Sequence, residues 1–282
     1  MNNLKVLILM GGLTVLLVML GNAWMGQSGA ILFFIISLGM NFFSYYYSDK
    51  LVIKMTGARE LSSAEAPQLH SMIRRLADRA GIPMPKVYIT PSRQPNAFAT
   101  GRNPQHAAVA VTAGLMQILN QDEVEGVLAH EIAHIKNRDI LIGTIAASLA
   151  GAISMLANVA QWGAMFGGLG GSRDDEGGGG LIGLLAMAIL APIAAMIIQM
   201  AISRSREYQA DATGARLSGS PRGLSNALLK LEASAQRIPM EVSPSAAHMF
   251  IVNPLSGFNL ASLFSTHPAT ADRVKRLNSM QV

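Results

Sequence analysis

The chain has no cysteine. That excludes disulfides, thiolate metal ligands and cysteine nucleophiles, and leaves any metal site to histidines and carboxylates. Charge is also scarce. Only 14% of the 282 residues are Asp, Glu, Lys or Arg, against about 25% in a soluble domain. Half of the residues are hydrophobic, and that combination reads as a membrane protein. The formal net charge is +5. No basic stripe interleaved with aromatics accompanies it, so no nucleic-acid partner is expected.

Four long runs contain no Lys, Arg, Asp or Glu: Val6–Met25, Ala30–Tyr47, Ile140–Ala160 and Leu181–Ile202. Each is long enough to cross about 30 Å of hydrocarbon. Lys5 before the first run would suit a signal peptide, but the apolar core is too long and lacks a small-x-small cleavage site. The segments between the runs differ in charge. Asn22–Gly29 has none, and the glycine-rich linker Gly167–Gly180 has one Arg against three acids. The opposite side holds Lys5, Lys50, Lys54, Arg59, Lys136, Arg138, Arg204 and Arg206. The positive-inside rule therefore puts both termini and the Lys50–Asp139 region in the cytoplasm.

What remains is polar: 51–138 and 203–282. Neither looks complete alone, and together they suffice for one compact domain. The expected organisation is two transmembrane helices over 1–50, the first part of a cytoplasmic domain over 51–139, two more transmembrane helices over 140–202, and the second part over 203–282. In the first part, Ser62 and Glu65 have capping-box spacing. Leu69, Met72, Ile73, Leu76 and Ala80 form one helical stripe that Gly81 ends. Short strands are expected at Lys86–Thr90, Asn96–Thr100 and Ala107–Thr112. A second helix starts near Asn120, with Asp122 and Glu123 in its first turn. In the second part Ser220-Pro221 opens a helix, and a short one follows Pro268.

That second helix carries His130-Glu131-x-x-His134. Residues four apart share a helix face, so the two imidazoles can meet one metal. Glu131 lies about 100° round the helix, placed to act as a base on water rather than as a ligand. A third ligand is needed. His70 lies on the flank of an amphipathic helix and His106 in a turn. Glu207 fits better, because it follows the fourth apolar run as His134 precedes the third. Asp211, one turn on, suits a carboxylate that receives the other N–H of a ligating imidazole. The plainer alternative is that Glu207 and Asp211 pair with Arg204, Arg206 or Arg216. The acids of "NQDEVEG" directly before the motif would be costly in lipid, so the site belongs at the membrane surface.

Three stretches, "HEIAHIKNRD", "SRSREYQAD" and "STHPATADR", together resemble the HtpX family of membrane zinc endopeptidases, which are related to the CAAX prenyl proteases. The resemblance spans nearly the whole chain. It implies an α+β membrane protein: four transmembrane helices and a mainly helical, zincin-like cytoplasmic protease domain with a small β-sheet. It implies one zinc ion, with Glu207 as the third ligand beside His130 and His134, and Glu131 as general base. It implies that "NAFATG" supplies an edge strand, Asn96, Ala97, Phe98 and Ala99, that holds substrate extended. It also implies that His267, followed six residues later by Arg273, lies over the metal and stabilises the oxyanion. The expected partners are unfolded or misfolded membrane proteins and the lipid bilayer; the expected location is the bacterial inner membrane, with the active site cytoplasmic and a role in stress response. Two rivals stand beside it. A scaffold with a vestigial metal site would not need Glu131, and a metal transporter would place ionisable residues inside the spans.

Overall fold

In the computed structural model, residues 2–143, 204–237, 251 and 268–282 are described. The third and fourth apolar runs beyond residue 143, the glycine-rich linker and His267 lie outside them. Helix α1, Asn2–Met55, runs through the first two apolar runs and breaks at Gly26, whose φ is 61° and ψ −148°. The uncharged connection expected over Asn22–Gly29 is thus much tighter than a loop. The two halves fold back on each other. A Cβ on Gly21 would lie only 2.8 Å from Cβ of Phe33, so small residues set the approach, as in membrane helix pairs. Asn41 Nδ2 donates to Thr14 Oγ1 at 3.0 Å and to the Met10 carbonyl at 3.3 Å. Of the four expected spans, one helix among the described residues is long and apolar enough to cross a membrane, Met25–Tyr47; Val6–Met19 is apolar but shorter.

The polar domain begins with strand β1, Arg59–Glu60, then α2, Pro67–Ala80, and β2, Lys86–Thr90. The capping-box pair is present, with Ser62 N–H donating to Glu65 Oε2 at 3.0 Å and Glu65 N–H to Ser62 Oγ at 3.3 Å. It closes a separate turn, however, and α2 starts after it with Pro67 in the first position. The helical stripe is buried as expected, and Gly81 caps the end at φ 69°. Strand β3 is Ala97–Gly101, one residue later than the sequence suggests; β4 is Ala107–Thr112 and α3 is Ala113–Ile118. The sheet order is β1-β2-β4-β3, with β2 and β4 parallel and β3 antiparallel to β4. Among the described residues β3 is therefore an edge.

Helix α4, Gln121–Lys136, crosses one face of the sheet. Its start is the capping box Asn120–Glu123. Two helices from the second polar stretch pack against it: α5, Arg204–Ser218, and α6, Arg222–Arg237. α6 starts one residue beyond the expected Ser220-Pro221 cap. Glycines set both contacts. A Cβ on Gly214 would lie 2.9 Å from His130 N, and one on Gly126 would lie 2.3 Å from Leu224 N. Helix α7, Thr270–Asn278, closes the arrangement against α5 and α6. On the sheet's other face, Phe98, Ala110 and Tyr88 pack with Val52 at the end of α1. The apolar hairpin is thereby seated directly on the domain that carries the motif.

Candidate metal centre

Helix α4 sets His130 and His134 one turn apart, with ring centroids 4.7 Å apart and planes at 88°. Their Nε2 atoms lie 3.2 Å apart. Glu207, in the first turn of α5, brings Oε2 to 3.7 Å from His130 Nε2 and Oε1 to 3.5 Å from His134 Nε2. The three ligand atoms lie within 4.8 Å of one another.

The far side of each ring explains this convergence. His130 Nδ1 is 3.0 Å from Asp211 Oδ1, and His134 Nδ1 is 3.3 Å from Asp139 Oδ2. An imidazole that donates Nδ1–H to a carboxylate keeps its Nε2 lone pair free. Both lone pairs then face the same small space, where they repel unless a cation or a proton lies between them. Two imidazoles and a carboxylate so arranged suit zinc, which takes three such ligands at catalytic sites.

Electrostatics point the same way. Burial opposes a proton on His134, but the Asp139 hydrogen bond and the charges of Glu207 and Glu131 outweigh it and raise the imidazole to about 9. The negative field that holds a proton there also suits a cation. Burial pushes the Glu131 carboxyl above the ordinary carboxylate range, against the charges of His130 and His134. Its Oε2 accepts from the Ala99 N–H at 2.8 Å. In antiparallel pairing with β4, Asn96 accepts from the Thr112 N–H. By alternation Ala97 and Ala99 turn their N–H and C=O groups away from β4, toward the free edge. Glu131 thus stands between that edge and the histidine–glutamate cluster.

Arg273, from α7, is buried against His130, with Nη2 3.5 Å from Nδ1 and 3.4 Å from Nε2. Its Nη2 and Nε donate to Asp211 Oδ1 and Oδ2 at 2.6 and 2.9 Å, and Nη1 donates to the Ile251 carbonyl at 2.9 Å. Burial alone would raise Asp211, but the Arg273 guanidinium holds its carboxyl down at about 2. Arg273, expected beside His267 over the metal, thus forks the Asp211 carboxylate, and its Nη1 is 3.9 Å from Glu207 Oε2. Of the alternative pairings, Asp211 takes Arg273 and not a neighbour on its own helix. Asn96 does not face the free edge: its Oδ1 accepts from the Ile251 N–H at 3.2 Å, and its N–H donates to Thr112 Oγ1. His70 contacts the Leu61 carbonyl and His106 contacts Asn103, both away from the cluster. Asp139 is the site residue that sequence reasoning missed. Its one signal was an acid placed directly before an apolar run, five residues after His134.

A paired-histidine helix with its own glutamate, a carboxylate from the next helix and an edge strand beside that glutamate together define a metallo-endopeptidase. The chain belongs to peptidase family M48, whose description matches residues 63–281. It is 65% identical over its full length to the full length of a protein named Protease HtpX homolog from Pelotomaculum thermopropionicum. Similar relatives of the same name occur in Desulfatibacillum aliphaticivorans, at 58% identity over 98% of this chain and 89% of that one, and in Thermococcus kodakarensis, at 55% over 97% and 94%. Among solved structures the fold is similar to the crystal structure of S. mikatae Ste24p, with TM-score 0.53 and 20% identity. That likeness covers 98% of this chain and 65% of the Ste24p chain, and it speaks for the fold alone.

Proposed function

We propose that this metallo-endopeptidase is zinc-dependent and cleaves misfolded or damaged membrane proteins in extended form at the cytoplasmic membrane surface. The observation that carries the reading is the Ala99 N–H bond to Glu131 Oε2 at 2.8 Å. It ties the general base to the strand along which a peptide would lie, with the ligand cluster on the other side.

His130, His134 and Glu207 would hold the zinc. Zinc bound there lowers the pKa of water and polarises a carbonyl oxygen. The chain's own groups do the rest. The outer edge of β3, at Ala97 and at the Ala99 carbonyl, pairs with the backbone of an extended peptide, so selection depends on conformation more than on side chains. Phe98 points to the opposite face and fixes the strand through Val52 and Ala110. Glu131 accepts a proton from the attacking water as the new C–O bond forms. It then delivers that proton to the amine as the C–N bond breaks. Burial suits it to this exchange by raising its carboxyl above the ordinary carboxylate range. Asp211, clamped by Arg273, orients His130. His267, shortly before α7, is the donor to the developing oxyanion.

Seating α1 on the back of the sheet holds the site at the membrane surface, where a damaged membrane protein exposes loops and ends. Four spans with both termini cytoplasmic complete this reading, in a bacterial inner membrane.

The test is to incubate the detergent-solubilised chain with an unfolded polypeptide, with and without a chelator, beside Glu131→Gln. Cleavage should need the metal and should vanish in Glu131→Gln. Cleavage by Glu131→Gln at the wild-type rate would contradict the reading.

A further inference from the structure

Helix α4 ends in an unusual way. Asn137 stays helical, but Arg138 has φ 59° and is the one non-glycine residue at positive φ among the described residues. The Arg138 N–H donates to the Ile135 carbonyl at 3.1 Å, and the Asp139 N–H to the His134 carbonyl at 3.0 Å. These are the paired bonds of a Schellman termination, whose left-handed position usually goes to glycine. Arginine there crowds its Cβ against the backbone. Strain of this kind persists where the surroundings demand it, commonly beside functional groups.

The turn returns Asp139 to the residue it has just left. Its N–H reaches the His134 carbonyl, and its carboxylate reaches the His134 ring, with Nδ1 and Oδ2 at 3.3 Å. Arg206, adjacent to Glu207 on α5, faces the other carboxylate oxygen, with Nε 3.9 Å from Oδ1. Its buried Nη2 has no hydrogen-bond partner. The series Arg206–Asp139–His134 therefore repeats, on the second imidazole, the series Arg273–Asp211–His130 on the first.

We infer that Asp139 is a positioning residue for metal binding, brought under His134 by the left-handed Arg138 and counter-charged by Arg206. This rests on the reading that His134 is a zinc ligand. A neutral imidazole without an acceptor at Nδ1 can place its proton on Nε2, and it then offers the metal an N–H instead of a lone pair. Asp139 removes that choice and fixes the ring's rotation.

The experiment compares zinc affinity, by competition with a chromophoric chelator, in wild type, Asp139→Ala, Asp139→Asn and His134→Ala. The full chain is used in detergent, with its metal-free melting curve as the check on folding. Asp139→Ala should bind zinc about 10–100-fold more weakly. Asp139→Asn, which keeps an acceptor, should recover most of that loss, and the visible spectrum of the cobalt form should shift in Asp139→Ala and return toward wild type in Asp139→Asn. A merely structural Asp139 would change the melting curve and leave affinity and spectrum in place, which overturns the inference. If His134→Ala also retains wild-type zinc affinity, the metal-centre reading itself fails; if only His134→Ala loses zinc, the role of Asp139 alone is refuted.

Discussion

Arg273→Gln tests whether one counter-charge holds the carboxylate behind His130. Arg273 is 1% exposed, and two of its donors meet the two oxygens of Asp211 at 2.6 and 2.9 Å. Removing one partner of a buried, hydrogen-bonded ion pair costs about 3–5 kcal/mol, because the other charge stays behind in a poorly solvated place. At roughly 2–4 °C per kcal/mol for a domain of this size, the metal-free melting midpoint should fall by about 6–20 °C. Chelator must be present, since bound metal adds its own stability. The pH dependence gives a second readout. In wild type, Asp211 is depressed to about 2, so its contribution is complete above the unfolded value of about 3.9 and is lost as pH falls toward 2. Without Arg273, burial pushes Asp211 above its unfolded value. Its charge then destabilises at neutral pH, and that penalty fades as pH falls through the raised pKa. The gap between wild type and variant should therefore narrow on acidification. Adding Asp211→Asn removes the stranded charge, so the double variant should melt above Arg273→Gln. A midpoint within about 2 °C of wild type, or single-variant losses that simply add in the double variant, would refute the clamp.

Two further outcomes follow from named contacts. Gly214→Ala places a Cβ 2.9 Å from His130 N and 3.1 Å from Ala129 C; these are backbone atoms, so α5 must move off α4, at about 1–3 kcal/mol. Because Glu207 and Asp211 ride on α5, chelator competition should also show weaker zinc binding, and unchanged affinity would mean that this glycine does not set the spacing. His267→Ala should keep zinc and bind an unfolded substrate normally but turn over about 10²–10³-fold more slowly; loss of zinc would make His267 a ligand.

The legible parts of this chain were the local ones. The stripe of α2, the start of α4 near Asn120 and the β4 strand each follow from patterns within a few residues, and the structure has them. His130, Glu131 and His134 were legible because helical spacing alone puts them together. Glu207 came from pairing the ends of two apolar runs and from the family resemblance, and the structure brings it to 3.5 Å from His134. What was not legible depends on tertiary contact or on rare backbone. The Arg273–Asp211 fork joins residues far apart in sequence, and no spacing rule reports it. Asp139 reaches His134 only because Arg138 takes a conformation that glycine would have signalled and arginine does not. Asn96 was named for its place in an edge-strand motif; that its side chain accepts from the Ile251 N–H could not be read from that motif.

The most direct measurement of the central claim is zinc content per chain in purified Glu131→Gln and Glu207→Gln, taken beside cleavage of an unfolded polypeptide. A base and a ligand on the same centre should separate cleanly. Glu131→Gln should retain about one zinc and cleave nothing, whereas Glu207→Gln should lose zinc and activity together. Wild-type zinc content in Glu207→Gln, or zinc lost from Glu131→Gln, would contradict the assignment.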